Sequence, residues 1–198
     1  MKSIEKKYKL ITNSNLKFKS LNAMTIQPKE IEIIRKWRNE QMAILRQRKI
    51  ISKQDQIDYY KKVIWSQLDK DYPEIILLSI FQNEKFVAYG GLVNISWENK
   101  RAEVSFVSET NIASNEKHYH NLFSQYLSLI KYFGFSELGL NRLFTETFDI
   151  RPKHILTLEK SGFILEGIMK SHVIINGIYT NSLIHGILKE DYIKKSLD

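Results

Sequence analysis

The 198-residue chain contains no cysteine. A disulfide, a thiolate metal ligand and a cysteine nucleophile are thereby excluded, which agrees with a reducing cytoplasm. Proline occurs only three times, glycine only eight times, and no Gly/Ser-rich linker divides the chain. We therefore expect one domain over residues 1–198, with a core of about 18–192. Long apolar runs are missing too: the clearest, Ile75 to Leu78, is far too short to span a bilayer. The N-terminal "MKSIEKKYKL" has lysines but no apolar segment behind them, so it does not read as a secretion signal. A cytoplasmic location without a membrane partner is expected.

Acidic residues are the minority charge, 22 against 30 Lys and Arg, for a formal charge of +8. Two readings follow. The surplus either attracts an anionic ligand or is spread over a solvated surface. The cluster Arg46-Gln47-Arg48-Lys49 lacks the interleaved aromatics of single-strand readers, so nucleic acid is not an expected partner.

Hydrophobic spacing organises the rest. Residues 16 to 27 read as a first strand. Pro28 opens a helix marked by Ile31, Ile34 and Trp37. Ser52-x-x-Asp55 resembles a capping box before a second helix carrying Ile57, Tyr60, Ile64 and Leu68. Three strands follow, in "EIILLSIF", "KFVAYGGLVNI" and "RAEVSFVSE"; Gly90-Gly91 in the second suggests a bulge or a close backbone approach. A helix with Leu122, Tyr126, Leu129, Ile130 and Phe133 on one face leads to the strand "RLFTETF". Pro152 starts a last helix, ending at "EKSGF", and Asn176-Gly177 marks a closing hairpin. The expected fold is mixed α/β: a mainly antiparallel sheet of about seven strands with a splayed parallel pair, flanked by about four helices. The strand–helix–strand stretch from 102 to 148 is long enough for the parallel crossover.

This order, together with "LNRLFTETFDIRPKHILTLEKSGFILEG" and its hairpin and with "IIRKWRNEQ…ISKQDQIDYY", resembles the GNAT superfamily of N-acetyltransferases. The C-terminal half looks like the ribosomal-protein-type branch, and the W-R-N opening like enzymes acting on nucleotide-linked amino sugars. The resemblance implies acetyl transfer from acetyl-CoA, as co-substrate, to a small amine. A nucleotide-linked amino sugar is the preferred acceptor. Acetylation of a protein N-terminus is an alternative, as is a degenerate fold serving as a binding module; a homodimer is a further expectation.

The same resemblance implies site residues. Backbone groups of Phe106, Val107 and Ser108 would bind pantetheine. The phosphate loop falls on Asn115-Glu116-Lys117-His118-Tyr119-His120, with Asn121 following, and His118 and His120 stand where glycines are usual. Arg151 replaces a coenzyme-contacting asparagine, and Leu158 stands where a tyrosine general acid is usual. Glu103 is the candidate base, in the strand where relatives place a glutamate near the acceptor amine. Tyr179 is a weaker catalytic candidate. Trp37, Arg38, Asn39 and Arg46 fall on the acceptor side. No metal is expected, because His118 and His120 have no acidic or thiolate ligand at suitable spacing.

Overall fold

The computed structural model describes residues 16–194. The N-terminal decapeptide read above for a secretion signal lies outside the described residues. Eight strands form one sheet: β1 (Leu16–Phe18), β2 (Leu21–Thr25), β3 (Ile76–Gln82), β4 (Lys85–Ser96), β5 (Arg101–Ser108), β6 (Arg142–Phe148), β7 (Ile164–Ile175) and β8 (Ile178–Leu188). Their order across the sheet is β1-β2-β3-β4-β5-β6-β8-β7. Every neighbour is antiparallel except β5 and β6. The helices are α1 (Ile31–Glu40), α2 (Lys53–Tyr59), α3 (Thr110–Ser114), α4 (Glu116–Lys131), α5 (Pro152–Lys160) and α6 (Lys189–Lys194). No helix among the described residues is long and apolar enough to cross a membrane.

The expected architecture is present, with two refinements. The first strand is two, because the chain reverses at Lys19, whose φ of 53° is left-handed. Lysine carries no turn signature, so the sequence hid this corner. Among the described residues six helices stand where about four were expected; the extra ones, α3 and α6, have five and six residues and no apolar stripe to reveal them.

Local signals explain most boundaries. Ser52 Oγ accepts the Asp55 N–H at 3.1 Å, capping α2. Asn176 and Gly177 take φ of 51° and 81°, as a two-residue hairpin with both central residues left-handed requires. Both faces of the sheet are covered, which is why β5 is buried on its two sides. One core joins Leu122, Phe123, Tyr126 and Ile130 of α4 to Ile80, Ala88, Val104 and Phe106. The other joins Ile34 and Trp37 of α1, with Tyr60 and Ile64, to Leu77, Tyr89 and Val107.

Gly90 holds α4 close to the sheet. It lies opposite Phe106, and the Tyr126 hydroxyl passes over it to donate to the Ser105 carbonyl at 2.6 Å. A Cβ on Gly90 would meet that carbonyl oxygen at 2.3 Å and the hydroxyl at 2.7 Å. Gly90→Ala should therefore cost about 1–3 kcal/mol through forced displacement. Urea denaturation checks this; an unchanged midpoint would show that α4 does not rest on this glycine.

Candidate functional site

The parallel pair defines the site. β5 and β6 pair only at Arg101–Arg142, Ala102–Leu143 and Glu103–Phe144. Beyond them both strands continue, held by their other neighbours: β5 against β4 to Ser108, β6 against β8 to Phe148. The register of β4 shifts between Val93 and Ser96, just where Val93 faces Glu103. A bulge bends and twists its strand, and this one lies where β5 leaves β6.

A cavity of about 190 Å³ occupies the opening, lined by Val104 to Val107 of β5 and Thr145 to Phe148 of β6. Glu103 sits at its apex, buried. Asn94 Nδ2 donates to Glu103 Oε2 at 2.7 Å, and Arg46 pairs with Oε1. Arg46 reaches on to Glu146 Oε2 at 3.1 Å. Glu146 Oε1 lies 3.4 Å from His172 Nδ1.

Outward from this apex run two grooves. One, of about 660 Å³, lies between the start of α4 and α5. Lys117, Arg151, Lys153 and Lys160 line it against one carboxylate, Glu116, which is itself paired with Lys153. With the N-terminal end of a 16-residue helix on one wall, the groove favours an anion. The other groove, of about 870 Å³, runs from Arg46 and Arg48 to the β7–β8 hairpin and includes Glu146, His172, Ile174 and Tyr179.

The expected phosphate-loop residues separate into different tasks. Asn115 is the N-cap of α4: its Oδ1 accepts the His118 N–H at 3.1 Å, so that amide already has a partner. Glu116, Lys117, Tyr119 and His120 line the cationic groove; His118 and Asn121 are exposed and lie outside its lining. His120 turns toward α5, where Nδ1 meets Thr157 Oγ1 at 2.8 Å. The imidazole is thus held at the groove wall. On β5, Phe106 and Val107 line the inner cavity, whereas Ser108 does not, and its carbonyl accepts from Gln41 Nε2 at 2.8 Å.

On the acceptor side, Arg38 and Arg46 both line the inner cavity. Arg38 Nη1 donates to Tyr89 Oη at 2.8 Å and Nε to Gln47 at 3.0 Å. Asn39 instead organises the loop, accepting from the Ile51 N–H at 2.9 Å and from Gln47 Nε2 at 2.9 Å. Trp37 is core, 4.7 Å ring to ring from Phe86. Tyr179 is 70% exposed, in the outer groove and not at the apex. Leu158 is fully buried among apolar neighbours.

Sequence reasoning missed His154 and Glu146. His154 lines both the inner cavity and the cationic groove. Its Nδ1 is 2.6 Å from Tyr119 Oη, which accepts from Arg151 Nη2 at 2.9 Å. Its ring stacks on Phe123 at 4.3 Å. Burial, reinforced by the charges of Arg151 and His185, holds the imidazole well below its ordinary value. It is neutral at pH 7, so Nδ1 accepts the tyrosine proton. Burial likewise raises the Tyr119 hydroxyl, against the pull of Arg151. One signal was available: His154 falls three residues past Arg151, the N-cap of α5, in the helix's first turn.

A family model for the acetyltransferase (GNAT) domain matches residues 24–184. The chain belongs to the GNAT acetyltransferases. GNAT enzymes use acetyl-CoA as co-substrate. No sequence among curated proteins matches the chain significantly. Among solved structures, a spermidine N-acetyltransferase from Vibrio cholerae in complex with CoA and spermine shares 17% identity at a TM-score of 0.75, over 89% of this chain and 99% of that one. A dodecameric structure of the spermidine N-acetyltransferase from the same organism aligns at 0.70, with 17% identity over 90% and 99%. At that identity the likeness is one of fold.

Burial of neutral His154 makes the GNAT domain acid-sensitive in a defined window. The unfolded chain binds this proton near pH 6.5 and the folded one only well below it, so stability is full above pH 6.5 and falls as pH drops beneath it. His185, also pushed down by burial, adds the same sign. Denaturation midpoints between pH 7.5 and pH 5 should decline, and His154→Gln should flatten the slope; equal slopes would remove His154 as the cause.

Proposed function

We propose that this GNAT protein transfers the acetyl group of acetyl-CoA directly to a small primary amine whose other end carries an anion, with Glu103 as general base. One observation carries the reading: the strands part at Glu103, and a cation-lined groove opens beside the gap they leave. The diphosphate of the co-substrate takes the groove of Lys117, Arg151 and Lys153. Its pantetheine arm follows Phe106 and Val107 inward as a substitute strand, which puts the thioester beside the carboxylate. Holding both reactants in one cavity replaces an encounter with a positioned attack. The acceptor nitrogen gives a proton to Glu103 and bonds to the thioester carbon. The C–S bond then breaks, and the thiolate carries away its electron pair. Leu158 has no proton to offer, so the departing thiolate takes the second proton, on the nitrogen of the tetrahedral adduct.

The outer groove supports the choice of acceptor. Arg46 and Arg48 stand there against a single carboxylate, Glu146. A polyamine would bring several ammonium groups beside these guanidiniums. A nucleotide-linked amino sugar, by contrast, brings one amine and a diphosphate that arginine binds bidentately. Tyr179, exposed on the hairpin, can stack on an acceptor but does not reach toward the thiolate.

Two measurements test this. CoA at about 100 times its dissociation constant should add roughly 2.7 kcal/mol of stability, seen as a higher Tm. No shift at millimolar CoA would return the fold to a binding module. Thiol release with nucleotide-linked amino sugars, spermidine and N-terminal peptides should then be fastest with the first group; turnover confined to either other class would overturn the acceptor. Glu103→Gln should slow kcat on the order of 100-fold while keeping the CoA shift.

A further inference from the structure

Arg46 stands where a buried carboxylate, Glu103, and a half-buried one, Glu146, converge. Glu103 is the last β5 residue paired to β6, and Glu146 lies two residues past its partner Phe144, so the two flank the fork. Arg46 Nη2 holds one and Nη1 the other. These nitrogens share a single carbon, so the oxygens they grip are a few ångströms apart. The three side chains differ in burial. Glu103 is 5% exposed and Glu146 15%, but Arg46 is 49% exposed. It comes from the loop beyond the short 3₁₀ turn Met42–Ile44. Asn94 supplies a neutral N–H to Glu103, and His172 flanks Glu146 on its far oxygen.

This asymmetry has a consequence. The Arg46 side chain is already half exposed, so it can return to water at small cost. A buried carboxylate and a half-buried one left facing each other without a cation are unfavourable. The arginine therefore leaves only when another cation arrives. We propose that Glu103 and Glu146 together seat the ammonium of the acceptor, and that Arg46 is the exchangeable stand-in for it. This inference rests on the acetyl-transfer reading and deepens it. An ammonium has three donors, enough for Glu103 Oε1 and Glu146 Oε2. Displaced Arg46 already lines both the inner cavity and the outer groove, where it meets the acceptor's anionic end. Glu103 Oε1, freed of the guanidinium, receives the first proton before attack; the second, on the nitrogen of the tetrahedral adduct, passes to the departing thiolate, which leaves as the thiol. Glu146 keeps its charge and positions the nitrogen.

The test needs no acetyl-CoA. In Arg46→Ala the seat has lost its own cation, so free methylguanidinium or methylammonium should fill it. At low millimolar probe the Tm of Arg46→Ala should rise by about 2–4 °C over a sodium chloride control. Wild type and the double variant Arg46→Ala/Glu146→Gln should not respond. Arg46→Met, which keeps the stem, serves the same purpose if the alanine variant does not fold. No rise in either single variant, or an equal rise in wild type, would overturn the seat. If the enzyme turns over, Glu146→Gln should raise the KM of the amine tenfold or more. Its affinity for acetyl-CoA should stay near that of wild type, and an unchanged KM for the amine would overturn the role of Glu146 in the seat. A positive probe result without turnover would instead leave the seat standing and reject the acetyl-transfer reading.

Discussion

Three registers of parallel pairing between β5 and β6 are the constraint on which the site depends. Had the two strands stayed hydrogen-bonded to their ends, no gap would separate Phe106 and Val107 from Thr147 and Phe148. They part because each is better held elsewhere, β5 by seven registers with β4 and β6 by seven with β8. Parallel pairing is also the weaker kind per residue. Both walls of the opening are therefore rigid. Rigid walls set the distance between a carboxylate at the apex and whatever lies along the strands.

Charge is arranged along this gap in order. At one end four cations face one carboxylate, which suits a diphosphate. At the other, two carboxylates share one half-exposed guanidinium. Between them Phe106, Phe123 and Phe148 share the lining with Ser105, Thr145 and Thr147, none of which carries a charge. The sign of the charge that each end would receive thus reverses across a stretch of uncharged wall. The overall charge of +8 says nothing of this order, because it sums over a surface on which the lysines are scattered.

Much of the scaffold was legible in the sequence because its signals are local. The Ser52 cap, the Asn176-Gly177 turn, the stripe of α4 and the Gly-Phe ending of α5 each occupy a few neighbouring residues. Glu103 was legible only through a resemblance of position. Glu146 was not, since its meaning comes from Arg46, 100 residues away along the chain. His154 gains its meaning from Tyr119 and Phe123, more than 30 residues earlier in the chain, and only its spacing from Arg151 hinted at a role. The glycine-poor loop was the hardest reading. Asparagine is a favoured N-cap, so the Asn115 cap had a local signal that the family comparison masked, whereas nothing in "NEKHYH" indicates that His120 folds against Thr157.

The strut from Tyr126 to the Ser105 carbonyl couples the two ends of this arrangement. α4 carries the groove wall at its start and, three turns on, leans on the strand that bears Glu103. Helix and strand are therefore tied at this point, and a substitution that shifted the start of α4 would carry through the strut to the strand that bears Glu103.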